Sequence, residues 1–236
     1  MAFNPIAVLD QVTEEYRDYI QTEFRARDAT LRHRLEEALD RKHFLAREPF
    51  FQAHRPFRSG KKWRDLPLDA KFADVMENRA RSFGSKDWEY AYTHQSGAID
   101  ELLSPQARSV VVTTGTGSGK TKAFLLPVLH NALMDARSFD GRPGLTAILI
   151  YPMNALANDQ RERIEGYLTE AGFASAIRVE QYDRSATSAD RERMREKPPH
   201  ILLTNYMMLE YLLVRPADRD AIFANHRCRF VVLDEV

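Results

Sequence analysis

Cysteine is almost absent from this 236-residue chain, in which Cys228 stands alone. A single cysteine excludes an internal disulfide and a metal cluster built on cysteines. The chain also lacks an excess of either charge, because 34 lysine and arginine residues balance 34 aspartate and glutamate residues. Overall charge therefore does not attract a polyanion, and any nucleic-acid site has to be a local patch.

Long apolar runs are missing as well. No segment approaches the roughly 18 consecutive apolar residues that span a bilayer, and the N-terminus lacks the basic and apolar parts of a signal peptide. Glycine and proline number only 10 and 11, which excludes a fibrous or low-complexity protein. The 44% hydrophobic and 29% charged residues are typical of a chain that forms a core. We expect a cytoplasmic protein without a membrane partner.

Residues 1–84 are predicted to form a mainly helical region. Asn4 followed by Pro5 is a favourable helix start, and apolar residues then recur every three or four positions up to about Arg25. This periodicity predicts an amphipathic helix whose apolar stripe packs in a core. Further short helices are expected in the same region.

Within this region, residues 54–64 combine five lysine and arginine residues with two aromatic residues, Phe57 and Trp63, and contain no acidic residue. Cations interleaved with aromatic rings can follow a nucleic-acid backbone and stack on its bases. The alternative is a solvated basic loop whose aromatic rings fold inward. Local sequence leaves both interpretations open.

Residues 85–236 alternate apolar, β-rich runs with helical stretches. The runs occupy residues 109–112, 145–150, 201–203 and 230–233. Because they are apolar on both faces, they suit central strands of a parallel sheet that is covered by helices. The sequence therefore predicts an α/β domain with a doubly wound sheet.

A glycine-rich loop follows the first of these runs and leads into a helical stretch. It consists of Thr114, Gly115, Thr116, Gly117, Ser118, Gly119, Lys120 and Thr121. Its glycines let backbone N–H groups point at phosphate oxygens, and the following helix adds the positive end of its dipole. Lys120 would reach the β- and γ-phosphates of a nucleotide, and Thr121 would place its hydroxyl on Mg²⁺. A strict phosphate loop has glycine where Thr114 stands, and the alternative is a plain turn before a helix.

Two carboxylates, Asp234 and Glu235, follow the last apolar run. They are expected at the carboxyl edge of the sheet, where ligands bind in α/β folds. Asp234 would hold Mg²⁺ through water, and Glu235 would orient or deprotonate an attacking water. A solvated turn is the alternative for this pair considered alone.

These motifs together resemble the first motor domain of superfamily 2 DExH/DEAD-box helicases. The phosphate loop is similar to motif I of that family, and Asp234-Glu235-Val236 resembles the start of motif II. Three more segments match in the same order along the chain. They are residues 92–95, similar to the adenine-reading segment, residues 151–160, similar to motif Ia, and residues 203–209, similar to motif Ib.

The resemblance implies a RecA-like domain that binds ATP and Mg²⁺ and moves on nucleic acid. Gln95 would offer a donor and an acceptor to the adenine edge. Asn154 in the motif Ia segment, with Thr204 and Asn205 in the motif Ib segment, would contact the backbone of the loaded strand. For Thr204 and Asn205 a helix cap is the local alternative.

Within the superfamily, residues 112–121 and 151–156 look most like large bacterial DEAD/DEAH-box helicases that carry a C-terminal cysteine cluster. Many of those proteins act in DNA repair or phage defence. This resemblance implies DNA, rather than RNA, as the nucleic-acid partner.

The matched part reaches only the start of motif II. The resemblance implies that a motif III strand, which would lie between the phosphate-loop strand and the motif II strand, is missing. It also implies a missing second RecA-like domain, which supplies arginine fingers. We therefore expect a truncated helicase with an incomplete sheet that does not unwind by itself. The alternative is a non-catalytic nucleic-acid or protein-binding remnant of a helicase gene, which residues 54–64 and the helical N-terminal region suggest.

Overall fold

The structure is a computed structural model that describes residues 4–41, 43–47 and 55–234. The chain divides into two compact units, one up to Pro56 and one from Phe57 onward. The first unit contains helices α1 (Pro5–Glu23) and α2 (Ala29–Leu39).

Helix α1 begins where the sequence predicts. The side chain of Asn4 accepts a hydrogen bond from the N–H of Ile6 at 3.1 Å, which satisfies a donor of the first turn. The predicted core packing of its apolar stripe is wrong, because Val12 and Tyr16 are each 54% exposed. In the described part of this unit only Leu39 is buried. A helical period thus identified the helix correctly without identifying a buried face.

The described residues of the second unit form six strands, seven α-helices and a 3₁₀ turn at Trp63–Asp65. In chain order the strands and α-helices are β1 (Ser59–Lys62), α3 (Ala70–Ser82), β2 (Tyr90–Tyr92), α4 (Thr93–Leu103), α5 (Lys120–Ser138), β3 (Ala147–Ile150), α6 (Asn154–Glu170), β4 (Val179–Tyr182), α7 (Ser188–Glu196), β5 (Ile201–Thr204), α8 (Tyr206–Val214), α9 (Pro216–Ile222) and β6 (Phe230–Leu233). None of the helices in the described residues has both the length and the apolar character needed to cross a membrane.

Four strands form the main sheet, in the order β4-β5-β3-β6, and all of them run parallel. Ile150 at the end of β3 pairs with Thr204 of β5 and with Leu233 of β6, and Thr204 pairs with Tyr182 of β4. The four strands therefore end at one edge. Residues that follow them meet there, which is where α/β folds place their ligands.

The sheet is buried on both faces, as its apolar strands predict. In β3, Ala147 and Leu149 pack in a core that includes residues of α3, α4, α5 and α6. Ile148 and Ile150 face the other way, into a core that includes residues of α7, α8 and α9. Because side chains alternate along a strand, helices on both faces require strands that are apolar throughout. The predicted α/β class with helices flanking a parallel sheet is confirmed.

The predicted strand at residues 109–112 is wrong, since these residues belong to neither sheet. A strand exists only through its pairing, and β6, the last strand of the sheet, pairs with β3 alone. Val111 is 86% exposed, and Val231 and Leu233 of β6 are each 60% exposed. The expected absence of a further strand stays a prediction.

The second unit starts earlier than the predicted division between residues 84 and 85. Helix α3 belongs to its core, where the ring of Phe72 lies 5.4 Å from that of Phe173. Arg79 of α3 also binds Glu170 of α6 through hydrogen bonds of 2.8 and 2.6 Å. The sequence pattern changes near residue 88, but this change does not mark the boundary between the two units. The boundary depends on contacts between residues about 90 positions apart, and local sequence does not reveal such contacts.

Cys228, the single cysteine of the chain, does not lie in either core. It is exposed and lies just before β6, where its Sγ approaches the carbonyl of Phe230 at 3.6 Å. Partial burial raises the pKa of the thiol.

The buried imidazole of His200, directly before β5, should make the stability of the folded chain depend on pH. It is 2% exposed, and its Nδ1 accepts a hydrogen bond from the N–H of Arg178 at 3.1 Å. Burial, together with Arg227 and Arg178, lowers its pKa from the ordinary 6.5 to about 4. At pH values between about 4 and 6.5, the imidazole of His200 is protonated in the unfolded chain but neutral in the folded chain. Stability is therefore lost as pH falls through 6.5, and the loss ends near pH 4.

Because of His200, we expect the free energy of unfolding to be about 2 kcal/mol lower at pH 5 than at pH 7. Urea denaturation of His200→Gln at both pH values measures the effect, and the variant should lose less stability than the wild type on acidification. His33→Gln on α2 is the control, because the side chain of His33 is 73% exposed. An equal pH response in wild type and His200→Gln contradicts the expectation.

Candidate functional site

The glycine-rich loop turns sharply before α5. Gly117 and Gly119 have φ values of 77° and 72°, in the left-handed region that favours glycine. The hydroxyls of Thr114 and Ser118 lie 2.6 Å apart and close the loop from inside. Helix α5 starts at Lys120, as predicted, and Gly119 precedes its first turn. The positive end of the dipole of a 19-residue helix therefore lies directly at the end of the loop.

Backbone donors of this loop are available to a ligand. Among the described residues, the loop N–H groups of Gly115, Thr116, Gly117 and Gly119 donate to no protein group, whereas that of Ser118 donates to Gly115 O at 3.4 Å. Gly115, Thr116 and Gly117 are exposed. Exposed N–H groups at a helix N-terminus bind phosphate oxygens, so the residues of this loop are suited to hold the phosphates of a nucleotide.

The side chain of Gln95 makes hydrogen bonds to the backbone of the glycine-rich loop. Its side-chain amide donates to Ser118 O at 3.3 Å and to Gly119 O at 3.0 Å, and its Oε1 accepts from the N–H of Tyr92 at 2.9 Å. The side chain is buried, with 2% of the residue exposed. Its predicted contact with adenine stays a prediction, since in this structure the amide group is engaged with the protein backbone.

His94 supports the same loop, a role that the sequence did not reveal. Its Nε2 lies 3.0 Å from Ser118 O. The ring also contacts those of Tyr92 and Phe57, each with centroids 5.8 Å away. The spacing Tyr-x-His-Gln was the available signal, but the partner of His94 is 24 residues away in the chain.

The residues after β3 and β6 lie next to each other at the carboxyl edge of the sheet. The N–H of Asp234 donates to Ile150 O at 3.2 Å, so the β3–β6 pairing continues to the predicted metal ligand. Burial, with Asp234 as a second cause, raises the pKa of Tyr151. Glu235 lies outside the described residues.

The start of α5 shares a neighbour with this edge. Burial, with the positive charges of Arg79 and Arg163, lowers the pKa of Lys122. Arg163 also acts on Tyr151, where it opposes the effect of Asp234. Arg163 of α6 therefore influences both Lys122, near the start of α5, and Tyr151, directly after β3.

The predicted nucleic-acid residues are also brought together. The amide of Asn205 donates to Asn154 Oδ1 at 2.9 Å across 51 positions of sequence. Asn205 Oδ1 also accepts from the N–H of Met208 at 2.9 Å, so the alternative of a helix cap is confirmed. Thr204 is buried, and its hydroxyl donates to Tyr182 O at 2.8 Å. Contact of these three residues with a strand stays a prediction.

The basic segment does not form a free cationic loop. Residues 59–62 form β1, which pairs with β2, and Trp63 is buried. Lys61 pairs with Asp100, Lys62 with Glu89, and Arg64 with Asp74 and Glu77, each at 2.6 to 3.0 Å. The interpretation in which the aromatic rings fold inward is the one observed for Trp63. His54 lies outside the described residues.

A family model described as DEAD/DEAH box helicase matches residues 92–236, which is more than half of the chain. The matched part includes the phosphate loop, Gln95, Asn154, Asn205 and Asp234.

Individual relatives agree with this family. The chain is 31% identical over 170 residues to Druantia protein DruE of Escherichia coli strain UMEA 4076-1, across 71% of this chain and 9% of DruE. It is 33% identical over 138 residues to ATP-dependent helicase Lhr-Core of Methanothermobacter thermautotrophicus, across 56% of this chain and 16% of Lhr-Core. The crystal structure of DUF1998 helicase MrfA bound to DNA and AMPPNP matches with a TM-score of 0.61 and 26% identity, across 77% of this chain and 22% of MrfA. The chain thus spans less than a quarter of each of these relatives.

Proposed function

Because the chain belongs to the DEAD/DEAH box helicase family, we propose that it is the ATP-binding motor portion of a helicase that couples ATP hydrolysis to movement on DNA. The single observation that carries this proposal is the phosphate loop. Its exposed N–H groups, two left-handed glycines and the start of α5 form a cradle for a triphosphate.

Each residue of the site has a proposed role. Thr114 to Gly119 surround the phosphates with backbone donors, and Lys120 neutralises the β- and γ-phosphates. Thr121 and Asp234 would hold Mg²⁺, which supplies positive charge between the phosphates when it is bound. Glu235 orients the attacking water or takes its proton, and Gln95 contacts adenine in addition to its bonds with the loop.

DNA is the proposed nucleic-acid partner. The solved structure of the relative MrfA contains DNA together with AMPPNP. In this chain the bonded pair Asn154 and Asn205 lies where the ends of β3 and β5 meet, and amide groups of this kind bind phosphate oxygens without reading sequence. The expected cytoplasmic location remains a prediction from composition.

We further propose that the 236 residues bind ATP without unwinding nucleic acid. Stabilising the transition state of phosphoryl transfer requires an arginine finger, typically worth about 10³ to 10⁵ in rate. In superfamily 2 helicases that finger comes from a second RecA-like domain, and the family match here covers one ATP-binding domain. The alternative of a nucleic-acid-binding remnant is less well supported, because the cations of residues 61–64 are paired with carboxylates.

The test uses the purified 236-residue chain with a fluorescent ATP analogue and a forked DNA duplex. We expect saturable nucleotide binding that weakens when Mg²⁺ is chelated, together with no ATP-driven separation of the duplex. Absence of nucleotide binding overturns the ATP site. Robust strand separation instead overturns the requirement for a second domain and leaves the ATP site intact.

A further inference from the structure

An open cavity of about 430 Å³ lies outside the phosphate-loop region, between α7 and the start of α9. It is lined by Ser188, Arg191 and Arg195 on the α7 side and by Arg215, Pro216 and Asp218 on the other. We call it the arginine pocket. Residues 191 and 195 are four positions apart on α7, so their side chains lie on one face of that helix.

The cations of the arginine pocket outnumber its carboxylates. Asp218 has a 4% exposed side chain, and it is already engaged with Tyr182 Oη at 2.9 Å and with Arg195 at 3.3 Å. Within the described residues, Arg191 and Arg215 pair with no carboxylate. Their guanidinium groups lie 5.7 Å from the ring centroid of Tyr182 and 5.5 Å from that of Tyr211. Two positive charges of the arginine pocket therefore have no counter-ion in the part of the chain that the structure describes.

Arg191 shows this imbalance at the level of one atom. Its Nε is buried and has no hydrogen-bond partner among the described groups. A buried donor without an acceptor costs about 1–3 kcal/mol, and more for a charged group, so such a group requires an explanation. Arg191 also lines the cavity, where a bound anion would offset the charge of its guanidinium group.

Arg193 on the same helix provides the contrast. It binds Asp190 at 3.1 Å and Glu180 at 3.5 Å, and it does not line the cavity. Residues 184–197 alternate arginine with aspartate and glutamate, a pattern typical of a solvated helix face, and this pattern suits Arg193. The structure separates Arg191 and Arg195 from that face and turns them toward the cavity.

The arginine pocket is connected to the proposed nucleic-acid residues by α8. This helix begins directly after Asn205 and ends directly before Arg215, and its nine residues span about 13.5 Å. Tyr206 and Tyr211 are exposed along it, at 64% and 45%. Exposed aromatic rings and a nearby cation, here Arg215, are features on which single strands stack their bases and bind their backbone.

We propose that the arginine pocket binds a backbone phosphate of single-stranded nucleic acid, beyond the position contacted by Asn205. Guanidinium groups bind phosphate oxygens in bidentate fashion, and the two uncompensated cations more than balance the single negative charge of such a group. This inference rests on the proposed function, because it extends the path of the same strand.

The test compares Arg191→Gln, Arg215→Gln and Arg193→Gln in the 236-residue chain. Binding to a fluorescent oligo-dT is measured by anisotropy over a series of salt concentrations. For Arg191→Gln and Arg215→Gln we expect affinity about 5- to 20-fold weaker at low salt. The slope of log affinity against log salt should also become shallower by about 0.7 for each phosphate that the variant no longer neutralises. Arg193→Gln removes the same charge from the paired face and should change neither quantity.

The outcomes separate this inference from the function on which it rests. If all three variants bind like the wild type, or weaken equally, the arginine pocket is not a phosphate site and the helicase proposal stands. If the wild-type chain binds no oligo-dT at any salt, nucleic-acid binding itself fails, and this inference fails with it. Arg215 is exposed, so Arg215→Gln keeps the test valid if Arg191→Gln does not fold. Binding of the ATP analogue by each variant confirms that its fold is intact.

Discussion

Lys120→Ala is expected to weaken binding of a fluorescent ATP analogue by about 10- to 150-fold, because it removes a charge-assisted hydrogen bond worth about 1.5–3 kcal/mol. Lys120 is the first residue of α5, directly after the exposed N–H groups of the phosphate loop. Its ammonium group would lie against the phosphates, where backbone donors alone do not neutralise the charge. Fluorescence titration in the presence of Mg²⁺ measures the change.

Lys122→Ala is the matched control for this variant. It removes the same functional group two positions further along the same helical turn, where side chains do not share a face. Lys122 is half-buried, and burial lowers its pKa, so it belongs to the packing of α5. Nucleotide affinity should stay within about twofold of the wild type. Equal affinity in the wild type and Lys120→Ala would remove the nucleotide assignment.

Gly119→Ala is expected to destabilise the chain by about 2–5 kcal/mol and to abolish nucleotide binding. At φ 72° a side chain is strained by about 1–2 kcal/mol. A Cβ at this position would also lie 2.5 Å from Gln95 Nε2. Gln95 would have to move, and its hydrogen bonds to Ser118 O, Gly119 O and the N–H of Tyr92 would break. Chemical denaturation and the same nucleotide titration measure both effects.

Gly117→Ala separates strain from collision. Gly117 has a similar φ of 77°, but a Cβ there meets no atom within 4 Å. The free energy of unfolding of Gly117→Ala should therefore be lower than that of the wild type by the backbone strain alone, about 1–2 kcal/mol. In a Gln95→Ala background, Gly119→Ala should lose its extra cost, because the colliding amide is gone. If Gly117→Ala and Gly119→Ala destabilise equally, Gln95 does not support the phosphate loop.

Much of the fold could be predicted from local pattern. The runs at 145–150, 201–203 and 230–233 became β3, β5 and β6, because strands covered on both faces must be apolar throughout. The apolar run at 109–112 follows the same pattern but is not a strand. Periodicity measures which side chains avoid water, whereas a strand also requires a neighbour for its backbone. The short strand β4 was missed, since Glu180 and Gln181 interrupt any apolar run.

The chemistry of the candidate site was predictable where one short segment carries it. A glycine-rich loop before Lys120 and Thr121 favours its own backbone path, because glycine adopts the φ values of 77° and 72° at Gly117 and Gly119 without strain. For the same reason the helix start at Asn4 could be predicted: the cap and its partner are two residues apart.

Side-chain assignments across long separations could not be predicted. Gln95 has the same donors and acceptors whether it faces adenine or Ser118 and Gly119, so its sequence position does not determine which one it binds. The arginines of α7 are likewise indistinguishable in sequence. In the structure Arg193 pairs with Asp190 and Glu180, Arg195 pairs with Asp218, and Arg191 pairs with no carboxylate among the described residues.

The sequence by itself therefore determined the phosphate loop, the parallel α/β sheet and the helicase family, because each depends on neighbouring residues or on apolar content. Tertiary structure alone decided that Gln95 and His94 hold the loop, that Asn154 meets Asn205, and that Arg191 and Arg215 have no counter-ion among the described residues. The physical reason is that hydrogen bonds and ion pairs act over a few ångströms, and only the folded chain brings these distant residues within that range.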